Sequence, residues 1–503
     1  MPVPSIETRD DLLQAFLSDA AHVPGGFAAG VALPRDTDEL AALVAHTDRV
    51  LPIGAQSSLT GGATPRGEVV VSTRALNRIA LGAHNTITAG AGVVLADLQR
   101  TLLSHGLYYP PVPTFDGACV GGTIATNAAG AATFKYGSTR QWVEAITVVL
   151  ADGSLLRLQR GDVTASDDGW FDIAGPGGQL ARVPVPSYRM PDVPKLSAGY
   201  FARPGMDLVD LFVGSEGTLG VIAEATLRVI PAPRRAVALA ASQSDAQAIA
   251  VTHALRDEAA RSWRGDGPLD VAAIEYIDDM SLAQLPDDAF ARAGLPRPAG
   301  RAGMLIVQIE MAGDDSRALE RFAQVLEGCG CTGDPVVAAP GDDRAAARLF
   351  ELREAVPSAV NARVAAAKAS MHPDIQKTAG DMIVPFDRMT ECLALYRDCF
   401  ERRGLTYAIW GHLSDGNLHP NVIPASLDDV VRGREALLEI AHGVIAMGGS
   451  PLAEHGVGRS AAKQQMLREL YGEAGIESMR AVKRTLDPSW KLSPGVLFPT
   501  RAG

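Results

Sequence analysis

Long hydrophobic runs are missing from this 503-residue chain, and no stretch reaches the roughly 18 to 20 apolar residues that a membrane-spanning helix requires. The N-terminal segment MPVPSIETRDDLLQAF carries acidic residues where a secretory leader would be basic. A cytoplasmic protein, at most peripheral to a membrane, is therefore expected. Cysteine is scarce. Cys119, Cys329, Cys331, Cys392 and Cys399 are an odd set without CxxC spacing, which argues against a disulfide framework and against a thiolate zinc site. No cluster of Lys and Arg interrupts an acidic balance of 46 basic against 58 acidic side chains, net −12, so nucleic acid is not an expected partner. An anionic ligand must instead find a local cationic pocket. Two nucleotide signatures are also missing. Gly90-x-Gly92 lacks the third glycine of a dinucleotide fingerprint opening a helix, and no GxxxxGK[ST] occurs, which disfavours a nicotinamide Rossmann domain and a P-loop.

What is present reads as a soluble globular protein of two to four packed units, 47% hydrophobic, with 51 glycines that are neither periodic nor confined to one tract. Asp36 to Glu39 resembles a capping box before a helix over 37–48, followed by a strand at 50–53 and an apolar run at 69–71. A strand at 86–91, a helix around Leu95, Leu98 and Leu102 ending at Gly106, and a strand at 143–150 continue an α/β rhythm. Residues 160–210 lose periodicity and read as a long functional loop or insertion. Pro231 and Pro233 close the first unit, predicting domains at 1–235 and 236–503, the core of the first over about 33–233. From 236 the pattern is strand, helix, strand, strand, helix, strand, the order of a ferredoxin-like fold. A helix near 343–365, a strand at 381–384, a helix at 386–403, a hairpin at 405–423 and two or three terminal helices complete the chain.

Three tracts of small residues stand in the first unit. In Pro52 to Gly62, Gly, Ser and Thr follow a strand directly, leaving backbone N–H groups free to face a diphosphate, with Ser57, Ser58 and Thr60 as further donors. Gly121 to Gly137 places Gly and Ala wherever a flat ligand would press on the backbone, and Gly214 to Ile222 joins small residues to a strand. One such tract is an ordinary loop; three in one domain are better explained by one long, phosphate-bearing cofactor. The second unit carries WGHLSDGNLHPNV. Asp415-Gly416 is a favoured two-residue hairpin turn, and a turn centred there places His412 opposite His419 with Cβ atoms about 5 Å apart. Ser414 and Asn417 then share that face, while Leu413 and Leu418 take the other. Two imidazoles with a carboxylate or imidazole from Glu454-His455 suit a metal ion with an open position. Arg353 and Lys377 are the candidate cations for an anionic ligand.

Together these motifs resemble the FAD-linked oxidases of the vanillyl-alcohol oxidase superfamily, in the branch of D-lactate dehydrogenases, D-2-hydroxyglutarate dehydrogenases and the glycolate oxidase flavin subunit. LPIGAQSSLTGG, GGTIATNAAG with KYG, GSEGTLGVI, GHLSDGNLH, EHGVG and LDPSWKLSPG carry the resemblance, which spans nearly the whole chain. It implies an α+β protein: a two-subdomain FAD-binding domain of the PCMH type, a ferredoxin-like substrate or cap domain, and C-terminal helices that return to the flavin. It carries flavin contacts to Pro52, Ile53, Gly54, Ala55, Gln56, Ser57, Ser58, Leu59, Thr114, Gly121, Gly122, Ala125, Thr126, Asn127, Gly130, Tyr136, Gly137, Gly220, Ile222 and Asn417. It puts the metal ligands on His412, His419 and Glu454, the proton-abstracting base on His455, and the substrate carboxylate on Arg353 with Lys377 beside it. Adjacency alone leaves Glu454 and His455 exchangeable.

The resemblance implies noncovalent FAD, since no histidine lies in Pro52 to Gly62, and one divalent ion, zinc first, with manganese or iron as alternatives. The implied reaction oxidises a small D-2-hydroxy acid, D-lactate ahead of D-2-hydroxyglutarate or glycolate, to the 2-oxo acid. Electrons then leave to a quinone, an electron-transfer flavoprotein or a cytochrome, and a homodimer is compatible with the family. Two rival readings are a metal-free flavin oxidase of alcohols or sugars and a non-catalytic flavin subunit of a larger complex. Ser493 stands where the family usually has Asn, and Lys195 or Arg203 in the 190–210 segment are candidates to supply a further cation.

Overall fold

The computed structural model describes residues 4–174, 180–295, 297, 303–311 and 313–499. Two β-branched runs, Val50–Ile53 and Val69–Ser72, pair in parallel, and Gly30–Ala32 adds to the far side of the second. The helix Thr37–Ala45 covers this sheet with Leu40, Leu43 and Val44 buried. The carboxylate of Asp36 accepts from the Glu39 N–H at 2.8 Å, but the reciprocal half of the expected capping box is not made, because Glu39 turns back to the Arg35 N–H. A second sheet of five antiparallel strands follows in the order Ile79–Leu81, Thr86–Gly90, Val221–Arg228, Val143–Val149, Leu155–Gln159. The two sheets are the two lobes expected of an FAD-binding domain.

The 160–210 segment is not the unstructured loop its composition suggests. Trp170–Ala174 and Leu180–Pro184 form an antiparallel hairpin, and the chain then runs inward to bury Lys195, Ala198 and Tyr200. Alternation fails there because the inward run makes side-chain contacts with two other segments instead of pairing as a strand.

Beyond Pro231 the strands Arg235–Ser242, Asp270–Ile277, Gly303–Glu310 and Val336–Ala338 lie antiparallel in the spatial order fourth, first, third, second, with helices Asp245–Trp263 and Asp315–Gly328 as crossovers. This is the expected ferredoxin-like arrangement. The sheet does not stop at Asp270–Ile277. It continues into Tyr407–His412, then Asn417–Val422, which pairs with the short strands Thr378–Ala379 and Met382–Ile383. Glu275 thereby lies opposite His412. The helix Asp343–Ser370 runs through Pro357, longer than its expected end, and 386–403 resolves into a 3-10 turn before the helix Met389–Glu401. No helix among the described residues is long and apolar enough to cross a membrane.

The C-terminus returns to the first sheet. After the helix Ala461–Leu486, broken at Gly472, Val50 donates its N–H to Lys491 O and accepts from Ser493 N–H, both at 2.8 Å. Ser493 takes a left-handed φ of 43° and donates its hydroxyl to Gly217 O at 3.1 Å. Asn would tolerate this left-handed conformation well, so the Ser that departs from the resemblance keeps the same backbone geometry.

The units are joined by buried ionic contacts. Lys135 Nζ lies 2.6 Å from Asp270 and 2.7 Å from Glu310, while Tyr136 and Arg235 also donate to Glu310. Glu310→Ala leaves Arg235 without its carboxylate and Lys135 with Asp270 alone. It is expected to cost about 3 kcal/mol, read from urea unfolding, as breaking a buried pair does.

Candidate active site

The strand Val50–Ile53 ends at a loop whose backbone is fixed from behind. Gln56 has a left-handed φ of 55°, and its Nε2 donates to Phe16 O and Ala63 O at 2.9 and 3.1 Å. Among the described residues no backbone N–H from Ala55 to Leu59 is drawn into a hydrogen bond within the chain, so this row of donors faces the adjacent cavity unspent. That cavity, about 300 Å³, is lined by Pro52, Ile53, Gly54, Ala55, Gln56, Ser57, Ser58, Leu59, Thr114, Gly121, Gly122, Ala125, Thr126, Gly220 and Ile222. All were expected from sequence.

Five expected flavin contacts do not line it. Asn127, at φ 49°, spends its side chain on Leu196 O and the Arg140 N–H. A Cβ on Gly130 would meet Val112 O at 2.1 Å, so its glycine serves backbone packing. Tyr136 donates to Glu310, Gly137 caps a short helix at φ 72°, and Asn417 bonds Asp381 and Met382 O. Thr73, Cys119, Glu216 and Gly217 line the cavity without having been named as contacts; Glu216 and Gly217 lie within the third tract and Cys119 just before the second, while Thr73 carried no signal. Glu216 is the most consequential of these. Its two oxygens accept from the Val457 and Gly458 N–H groups at 2.8 Å each, and burial pushes its pKa up to about 7 against their pull.

At its inner end the cavity is walled by Glu454 and His455, from the other half of the chain. Around them lie His412 and His419, but by a different register from the one expected. Leu413–Asp415 forms a 3-10 turn completed by Gly416 at φ 85°, so His412 opposes Asn417, and His419 opposes Trp410. Asp415 Oδ1 accepts the Asn417 N–H, and Ser414, expected on the ladder face, leaves the ladder to accept the Ile274 N–H. The two-residue turn is thus displaced by a wider one. The slip is of two residues, which preserves the face where a slip of one would invert it. The two rings therefore still meet, 5.6 Å apart and edge-on.

Glu454 Oε1 stands 3.3 Å from His419 Nε2, 3.5 Å from His412 Nε2 and 3.7 Å from His455 Nε2. Burial raises the Glu454 pKa, but Lys195 and His412 overcome this and hold it well below the usual carboxylate range. His412 Nδ1 hydrogen-bonds Glu275, which reverses the effect of burial and brings the His412 pKa to about 9. Glu275 in turn receives Arg353 Nε at 3.0 Å. Arg353 is therefore buried behind His412, with Nη1 on Glu354 and Nη2 unspent within the described residues. Lys377, half-buried, stands over the Trp410 ring at 5.4 Å, and no carboxylate of the described residues is within ion-pair range; burial lowers its pKa to about 8.

Asp381 organises the cluster and was not expected. It accepts from the Glu454 and His455 N–H groups at 2.9 and 2.8 Å and from Asn417 Nδ2 at 3.1 Å. Asp381, His419, Glu454 and His455 bring ligand atoms within 4.8 Å of one another, a grouping that includes Asp381 and omits His412. Its sequence signal was one acid in KTAGDMIVP, as that of Glu275 was one acid in the apolar strand DVAAIEYI. Lys195 reaches this cluster too, whereas Arg203 is exposed and 4.0 Å from Asp192.

Residues 232–497 match the family model "FAD linked oxidases, C-terminal domain", and residues 28–159 match "FAD binding domain". The chain belongs to the FAD-linked oxidase family. It is an FAD-dependent oxidoreductase. Its relatives include the "Glycolate oxidase subunit GlcD" of Bacillus subtilis (strain 168), 31% identical over 93% of this chain and 88% of that one. The D-2-hydroxyglutarate dehydrogenase of Stutzerimonas stutzeri (strain A1501) is 28% identical, covering 98% and 95%. The D-lactate dehydrogenase of Archaeoglobus fulgidus is 29% identical, covering 92% and 90%. The fold is shared with an alkyldihydroxyacetonephosphate synthase, with a TM-score of 0.60 at 16% identity over 93% of this oxidase and 77% of that chain.

The cleft fits an FAD: unspent N–H donors at one side, small residues across from them, and room at Gly122, where an added Cβ would meet nothing within 4 Å. Gly122→Leu should fill that space without straining the fold. The purified variant is expected to lack flavin while its urea midpoint matches that of flavin-stripped wild type; full flavin content would remove Gly122 from the binding surface.

Proposed function

We propose that this oxidase converts a small D-2-hydroxy acid, D-lactate in the first place, to the 2-oxo acid. The observation that carries this reading is that the cavity expected to hold the flavin ends on Glu454 and His455, within a cluster of imidazoles and carboxylates. Residues 1–235 hold the cofactor, and residues 236–503 supply the reacting groups. His412, His419 and Glu454 are the ligands of one divalent ion, most consistently zinc, with manganese or iron as alternatives. Two features support that set. Glu454 Oε1 faces Nε2 of both rings, and Glu275 orients His412 from behind as outer carboxylates do for metal-bound imidazoles. Asp381 is spent on backbone N–H groups, which favours His412 over it as a ligand.

Such an ion supplies Lewis acidity at the substrate hydroxyl, and bound FAD supplies the hydride acceptor. His455 Nε2 takes the hydroxyl proton. Its Nδ1 lies 3.4 Å from Asp381, which fixes the tautomer, and burial lowers its pKa to about 4 so that the ring is neutral and able to accept. Arg353 Nη2 and Lys377 hold the substrate carboxylate. Lys195 is committed to two carboxylates and Arg203 pairs only with Asp192, so neither serves a second substrate carboxylate; among the described residues Lys463, beside Asp381 and Glu216, is the remaining half-buried cation near the cluster. The flavin is held noncovalently, and its electrons pass to a quinone, an electron-transfer flavoprotein or a cytochrome. Five free cysteines suit the reducing cytoplasm.

Elemental analysis of His412→Ala should show the ion lost and FAD kept, and His455→Ala should keep both while its flavin is reduced roughly 10²- to 10⁴-fold more slowly. Loss of metal in His455→Ala exchanges its role with that of Glu454. Anaerobic flavin reduction across a panel of hydroxy acids tests the substrate: D-lactate should exceed D-2-hydroxyglutarate in kcat/KM, and both should far exceed their L-enantiomers. Equal reduction by L-lactate or a neutral alcohol would refute the assignment of Arg353 and of the ion.

A further inference from the structure

Lys195 is 2% exposed, one of the largest side chains wholly enclosed in the fold. Its Nζ lies 3.0 Å from Glu454 Oε2 and 3.1 Å from Asp415 Oδ2. The other oxygen of Glu454 points the opposite way, toward the three imidazoles at 3.3 to 3.7 Å. The two oxygens of one carboxylate are thus divided between a fixed cation and the ligand cluster.

We propose that Lys195 sets the denticity of Glu454, occupying Oε2 so that an ion at the cluster receives one oxygen from this residue instead of two. The inference rests on the metal reading above and deepens it. A carboxylate without a second partner is free to coordinate through both oxygens. That would fill a position which a catalytic site must leave open for its substrate, and would quench the acidity of the ion. A desolvated lysine is costly unless paired and hydrogen-bonded, and here the pairing falls on the second oxygen of a ligand residue. The tether comes from residues 185–207, the inward run after the hairpin, so the flavin half of the chain reaches across to adjust a ligand in the other half. Asp415 plays a lesser part. Its Oδ2 is paired with Lys195 by charge but is not aligned for a hydrogen bond, and no ion pair joins it to the imidazoles among the described residues.

Cobalt(II) in place of the native ion reads coordination directly, since its visible bands weaken as ligands are added. In the FAD-loaded protein, Lys195→Met is expected to retain one cobalt and full flavin, with band intensity several-fold below wild type and slower flavin reduction. Asp415→Asn removes the other carboxylate beside Lys195 and should leave the cobalt spectrum as in wild type. A role limited to charge balance would shift cobalt affinity in opposite directions in the two variants, one losing a positive and the other a negative charge, and would leave both spectra as in wild type. X-ray absorption on the wild-type cobalt protein needs no variant and should show no carboxylate carbon at the short distance of a two-oxygen ligand. Cobalt bound with the same spectrum in wild type and Lys195→Met, or a two-oxygen Glu454 in wild type, overturns the role of Lys195 alone. A wild-type protein that binds no cobalt overturns the metal reading and this inference with it.

Discussion

The buried carboxylate of Asp381 is the constraint on which the reactive end of the cleft depends. One oxygen takes two consecutive backbone N–H groups, those of Glu454 and His455, and the other takes the amide of Asn417. Consecutive N–H groups converge on one acceptor only where the chain turns sharply, so this contact fixes the direction in which both side chains leave the backbone. The hairpin is locked to the same atom pair through Asn417. Remove the charge and three segments lose their common reference.

A second carboxylate does the same work from the opposite side. Glu216, in the flavin half, grips two further N–H groups of that loop, beyond Gly456, at Val457 and Gly458. Gly458 passes so close to Thr60 that a Cβ would meet its hydroxyl at 2.1 Å, and its left-handed φ of 56° independently favours glycine. The loop Glu454 to Gly458 is therefore held between two acids from different halves of the chain. This explains how a short, glycine-rich stretch can present reacting groups with fixed geometry although it belongs to no helix or strand.

Much of this was legible in the sequence, and the reasons for the rest are specific. Residues whose role is backbone contact, such as Ala55 or Gly122, betray themselves by composition, because small residues after a strand have few other uses. The facing of His412 and His419 was legible by parity alone: the turn was misjudged by two residues, yet period-two alternation tolerates an even error. Asp381 and Glu275 were not assigned, and Lys195 was named only as a candidate cation for the substrate, because each acts across a long sequence separation and a single charged residue does not name its partner. Asn127, Gly130 and Tyr136 were assigned to the flavin since a motif does not separate residues that touch a ligand from those that shape the wall behind it.

The pairing of Val50 with the segment Lys491 to Ser493 has a consequence for how the protein comes into being. The first sheet, whose strand leads into the row of N–H donors, is finished only by residues near the C-terminus, with Lys491 also capping Val44 O. On a ribosome the flavin half is made first yet lacks an edge until the segment Lys491 to Ser493 has emerged. Long-range closure of this kind is slow and leaves strand edges unpaired in the interim. Cofactor capture thus follows synthesis of that distant segment, and its removal should be felt at the first flavin loop.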